Sequence, residues 1–178
     1  LSLQAASPST DPRTATSTKL PVGKHAYGPF AVGTTALSLS ERGGPGAATR
    51  PIPTAVRYPA RGSPGGAARP GAAPNRSGGP YPLIVFSQGY GVSAEAYAAL
   101  LEHWAASGYV VVDPTYPFTD PQSPRVMDEL DIANHPSDLR FVIDSLLRTN
   151  AASDSVLSGL IDPNEVAVVG HSDGGDVS

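Results

Sequence analysis

The chain has 178 residues, of which 16% are charged, with a net charge of -4 and no cysteine. That length suits one domain of ordinary size, and the lack of a basic field argues against nucleic acid or an anionic membrane surface as a partner. Without cysteine there is no disulfide, thiolate nucleophile or cysteine-held metal or iron–sulfur site, and no stretch approaches the ~18 consecutive apolar residues of a membrane span.

In chain order, Leu1 to Lys19 is rich in Ser, Thr and Ala, with Asp11 as its only acid. This is how the mature end of an exported protein looks once its leader has been removed, so a secreted protein is expected, with a cytoplasmic one as the alternative. Residues 1–26 are expected to be a flexible segment, and 27–178 part of a single domain. Phe30 to Leu39 and Ala55 to Tyr58, the latter bounded by Pro53 and Pro59, read as edge strands. Residues 61–80 are almost entirely Gly, Pro, Ala and Arg and read as a long flexible loop with no element of its own.

Beyond that loop the pattern becomes regular. Leu83 to Phe86 is a continuous apolar run, as in a strand buried on both faces of a parallel sheet. Tyr97, Leu100, Leu101, Trp104 and Ala105 then have helical spacing, with Ser93 as expected N-cap and Gly108 as terminator. Tyr109 to Asp113 is a second buried strand, and a second helix is expected from near Pro136. In that helix Leu139, Val142, Ile143, Leu146 and Leu147 form the apolar face, while Asp138, Arg140, Asp144 and Arg148 form a solvated one. After the turn signal Asp162-Pro163-Asn164, Val166 to Val169 is a third buried strand. Strands alternating with helices imply right-handed βαβ crossovers. The expected fold class is therefore α/β, a mostly parallel sheet with antiparallel lead-in strands and helices on both faces.

The third strand runs directly into Gly170-His171-Ser172-Asp173-Gly174. G-x-S-x-G is weak as a bare pattern in a chain this rich in Gly and Ser, but a buried strand immediately before it is the setting it requires. A serine on a sharp strand-to-helix turn has a strained backbone, and the flanking glycines let neighbouring backbone pass close by. Ser172 is thus the candidate nucleophile, with Gly170, His171 and Gly174 supporting the elbow. The Asp173 N–H is a candidate oxyanion donor at the helix start. A second donor is expected from the loop Ser87-Gln88-Gly89-Tyr90-Gly91, at the Tyr90 N–H, with Gly89 as support.

These segments resemble a known family. Residues 81–91 (YPLIVFSQGYG), 108–114 (GYVVVDP), 136–144 (PSDLRFVID) and 170–175 (GHSDGG) are similar to the α/β-hydrolase serine esterases grouped with platelet-activating-factor acetylhydrolase, chlorophyllase and dienelactone hydrolase. Cutinase-type polyester hydrolases are also similar. The resemblance implies the N-terminal portion of an α/β-hydrolase fold and a Ser-His-Asp carboxylic-ester hydrolase that needs no cofactor, with oxyanion donors at Tyr90 and Asp173. Gln88 stands where these relatives often carry His or Pro.

The histidines are His25, His103, His135 and His171, all before the serine, whereas the fold orders nucleophile, acid and histidine in that sequence. None reads as the base. Asp113 and Asp120 lie at the carboxyl end of the sheet, where Asp113 reads as a strand-end turn residue, and Asp176 is too close to Ser172 to orient a histidine. Phosphate-loop, dinucleotide and metal-ligand spacings are not found, so neither a metal nor a cofactor is expected. The expected function is hydrolysis of a small or polymeric ester through an acyl-enzyme, with acid and histidine supplied by a companion chain or C-terminal fragment. A non-catalytic fragment serving as a binding or structural module, and an amide or lactone hydrolase, remain as alternatives.

Overall fold

The computed structural model describes residues 28–42 and 48–178. The expected flexible segment 1–26, and His25 with it, lies outside the described residues. Six strands form one mixed sheet: β1 (Ala31–Glu41), β2 (Arg50–Ala60), β3 (Arg69–Pro70), β4 (Tyr81–Ser87), β5 (Val110–Pro114) and β6 (Ile161–Gly170), in the spatial order β3-β1-β2-β5-β4-β6. β1 and β2 form an antiparallel hairpin from Ala31↔Ala60 to Glu41↔Arg50, and β2 pairs antiparallel with β5. β4 lies between β5 and β6, parallel to both.

The parallel strands are joined by helices. α1 (Ala98–Ala106) links β4 to β5, and α2 (His135–Ala151) links β5 to β6. Alternation along β4 and β5 explains why both read as unbroken apolar runs. Leu83, Val85, Val110 and Val112 pack with Leu139, Val142 and Leu146 of α2. Phe86 and Val111 face the other way, onto Leu101 and Ala105 of α1.

Several expectations change on folding. β2 is an interior strand, although it holds Pro51, Pro53 and Pro59. These odd-numbered residues turn their carbonyls away from β1: Pro53 O accepts the Thr115 N–H (2.7 Å) and Pro59 O accepts that of Asn75 (2.9 Å). In an antiparallel ladder the N–H points the same way as the carbonyl, so the missing donors fall on the side of short β5 and leave the ladder to β1 intact.

Segment 61–80 does carry structure. β3 pairs with Gly33 and Thr34 of β1, Arg61 N–H reaches Ala73 O (2.8 Å), and Tyr58 Oη donates to Ala72 O (2.9 Å). The segment satisfies its backbone by lying along the hairpin, with Gly62 and Gly71 at positive φ where it turns.

Ser93 makes no side-chain cap. It precedes a 3-10 turn, Ala94–Tyr97, and the α-helix begins only at Ala98, leaving Leu100 outward and 42% exposed. α2 follows another 3-10 turn, Glu129–Asn134, and its Asp138 faces inward, fully buried, instead of joining Arg140, Asp144 and Arg148 at the surface.

β6 is an edge strand and mostly exposed, because among the described residues only β4 pairs with it. The Asp162-Pro163-Asn164 turn lies inside β6, where the ladder skips from Tyr81↔Ile161 to Leu83↔Val166. Asp162 Oδ1 accepts the Asn164 N–H there (2.9 Å).

Candidate active site

β6 delivers the chain to the carboxyl end of the sheet, and the His171 N–H still bonds Ser87 O (3.1 Å) of β4. The next residue, Ser172, has φ 54 and ψ -130 and is the one non-glycine residue at positive φ among those described. A short helix, α3 (Asp173–Asp176), follows at once. The turn is possible only because of its glycines. A Cβ on Gly170 would lie 2.0 Å from Gly174 O, and one on Gly174 would lie 2.1 Å from Ser87 O and 2.6 Å from Gln88 O. Strand, turn and helix are therefore pressed backbone against backbone, with the Ser172 side chain left exposed.

The Gln88–Gly91 segment passes beside it: a Cβ on Gly89 would stand 3.1 Å from Ser172 Cβ and 3.2 Å from His171 O. Gly91 (φ 68) turns the chain away and donates its N–H to Thr119 O (2.9 Å). Among the described residues, neither the Tyr90 nor the Asp173 N–H donates to another protein group. Two free donors thus occur in the two segments that meet at Ser172. The Tyr90 side chain is 36% exposed at the same rim. Ser172 Oγ lies 3.5 Å from Asp173 Oδ1, too long for a strong O–H···O bond.

The described histidines make other contacts. His171 is exposed, with Nδ1 2.9 Å from Tyr97 Oη. His103 is exposed in the last turn of α1. His135 is buried, stacked on Tyr116 at 3.8 Å with an 11° interplanar angle, its Nε2 3.2 Å from Thr119 Oγ1. Burial drives its pKa down to about 4, reinforced by Arg50 and opposed by Asp131 and Asp173. No described histidine hydrogen-bonds Ser172.

The two strand-end acids are buried as well. Asp113 is held by Arg57, yet burial pushes its pKa up to about 6, with Arg57 opposing and Glu95 and Asp120 adding like-charge repulsion. Asp120 accepts from Gln88 Nε2 (3.2 Å) and the Gln122 N–H (2.8 Å).

A buried ion-pair cluster joins three elements that local sequence pattern does not link. Arg50, at the start of β2, donates Nε and Nη2 to Asp138 (2.7 and 2.6 Å) and Nη1 and Nη2 to Asp131 (2.9 and 2.6 Å). This double fork locks the hairpin to α2 and to the 3-10 turn before it. The only local hint was that Asp138 lies four residues before Val142, on the buried face. Among the described residues no group of three or more His, Asp or Glu could hold a metal ion, and no helix is long and apolar enough to cross a membrane.

Comparison with known proteins gives two findings. The chlorophyllase family model matches residues 71–178. Among solved structures, the ferulic acid esterase from Streptomyces cinnamoneus superposes with a TM-score of 0.61 at 24% sequence identity, over 88% of this chain and 55% of that one. The chain thus spans about half the length of that structure and shares its fold, the N-terminal portion of an α/β-hydrolase fold. No curated protein matches the chain.

Proposed function

The chain belongs to the chlorophyllase family, and on that premise we propose that it forms the nucleophile-bearing part of a serine-dependent carboxylic-ester hydrolase. The observation that carries this reading is the strained Ser172, wedged between glycines that admit no side chain and flanked by the free Tyr90 and Asp173 N–H groups. Ser172 Oγ attacks the ester carbonyl carbon and gives its proton to a histidine. The resulting oxyanion takes the Tyr90 and Asp173 N–H bonds, and the alcohol leaves with the histidine's proton. Water then attacks the acyl-serine by the same route in reverse and releases the acid. No described histidine hydrogen-bonds Ser172, and the fold places acid and histidine after the nucleophile, so the reading assigns both to a C-terminal part or companion chain outside these 178 residues.

The test is intact mass under denaturing conditions after exposure to a fluorophosphonate probe, with Ser172→Ala beside the wild type. Labelling at Ser172 in the presence of the complementing part, abolished in Ser172→Ala, supports the reading. An unlabelled protein in that setting refutes it and favours a non-catalytic binding module. A panel of matched ester, amide and lactone substrates separates the three acyl-transfer alternatives.

A further inference from the structure

Gln88 directly follows β4 in the loop that leads to the Tyr90 donor, and the residue is 1% exposed. Its Nε2 donates to Asp120 Oδ2 at 3.2 Å. Asp120, also 1% exposed, takes the Gln122 N–H on Oδ1 (2.8 Å) and the Ser123 N–H on its carbonyl (3.0 Å), and gives its own N–H to Tyr116 O (3.3 Å). The adjacent Thr119 accepts the Gly91 N–H (2.9 Å) and meets His135 through its hydroxyl (3.2 Å). Gln88 and Gly91 are therefore tied to consecutive residues of one loop, and only Gly89 and Tyr90 lie between the ties.

Asp120 is costly where it stands. Burial raises its proton affinity; the Gln122 N–H opposes this, Glu95 adds repulsion, and Gln88 opposes it again. Among the described residues it has no cationic partner, and a buried carboxylate without one works against stability. What the arrangement supplies is position, since the two ties fix the span that carries the Tyr90 N–H past Ser172.

We propose that Asp120 and Gln88 are positioning residues of the oxyanion hole: the Asp120 carboxylate holds the Gln88 carboxamide, and this contact together with Gly91 N–H to Thr119 O sets the Tyr90 donor. The inference rests on the ester-hydrolase reading above. A displaced donor weakens binding of the transition state while leaving the substrate's ground state nearly untouched, so the loss falls on kcat and not on KM.

The experiment uses the full-length protein, a small chromogenic ester, and kcat expressed per active site titrated with the fluorophosphonate, so that misfolded protein does not count. Asp120→Ala and Gln88→Ala are each expected to lower kcat by about 10-fold or more, KM staying within about 3-fold, less than the ~100-fold cost of deleting a donor outright. Because both act through one contact, the double variant should lose about 10-fold, not about 100-fold. Asp120→Asn should recover most of the loss: its amide can donate to Gln88 Oε1 once the glutamine carboxamide turns over, while its oxygen still accepts the Gln122 N–H. If Asp120→Ala does not fold, Asp120→Ser, whose hydroxyl can still accept the Gln122 N–H but is too short to reach Gln88, takes its place in the same comparison.

Per-site kcat within about 2-fold of wild type in the alanine variants, or losses that multiply, overturns the inference while leaving Ser172 chemistry intact. A wild type that neither turns over ester nor takes the probe refutes the ester-hydrolase reading, and the inference falls with it.

Discussion

Gly174 and Gly175 are neighbours in sequence, yet a methyl group should act oppositely at the two positions. At Gly174 a Cβ would stand 2.1 Å from Ser87 O and 2.6 Å from Gln88 O, both backbone atoms of β4 and its exit loop. Ordinary contact distances require the elbow and the strand end to part by more than about 1 Å. Overpacking of that kind costs about 1–3 kcal/mol, and the His171 N–H to Ser87 O bond spanning the same gap (3.1 Å) is worth about 1 kcal/mol more. Gly174→Ala is therefore expected to destabilise by about 3 kcal/mol, a fall in Tm of roughly 6–12 °C for a domain of this size. It should also slow probe labelling of Ser172, since the Tyr90 loop moves with Gln88. At Gly175 the nearest atoms to a Cβ are Gly170 O and C, at 3.6 and 3.7 Å. Gly175→Ala should be neutral, or stabilising by up to about 1 kcal/mol through lost freedom of the unfolded chain. Thermal and urea unfolding of the purified variants measures both. Gly174→Ala within about 1 kcal/mol of wild type, or Gly175→Ala equally damaging, would refute the close-contact account of the elbow.

Ser172→Gly relieves the positive φ of Ser172 and should raise stability by about 1 kcal/mol, whereas Ser172→Ala should not; neither should take a fluorophosphonate, and the same unfolding assay with mass analysis checks both. His135 is a base whose folded-state pKa lies at about 4, below its ordinary value of 6.5. Its contribution to stability is therefore full above pH 6.5 and is lost as the pH falls toward 4, to the extent of about 3 kcal/mol. Imidazole NMR should find His135 neutral down to about pH 4, and His135→Phe, which keeps the stack on Tyr116, should flatten that acid limb. Arg50→Met strands the buried Asp131 and Asp138 carboxylates and should cost about 3–5 kcal/mol at neutral pH. Burial already raises the Asp138 pKa, so this penalty should shrink as the pH falls and Asp138 takes up a proton; unfolding at several pH values tests it.

The amino-acid sequence determined what depends on neighbours along the chain. Val110 to Val112 must be covered on both faces wherever the strand lies, and Gly170 and Gly174 bracket Ser172 because no other residue lets that turn close. The alternation of strands and helices likewise dictated a parallel sheet. The tertiary structure decided what depends on residues far apart. The pairings of Arg50 with Asp138, 88 residues on, and of Gln88 with Asp120, 32 residues on, exist only once β2, β4 and the loop after β5 converge at one end of the sheet. Helical spacing put Asp138 on the face of Val142, but an aspartate is buried there only because Arg50 arrives from another element, so Asp138 read as surface. For the same reason prolines marked β2 as an edge strand, though its place in the sheet is set by the short β5 beside it. Helix and strand patterns record local backbone preference and one-sided burial, whereas strand order and buried charge pairs are set by which elements meet, and that is fixed only when the whole sheet assembles.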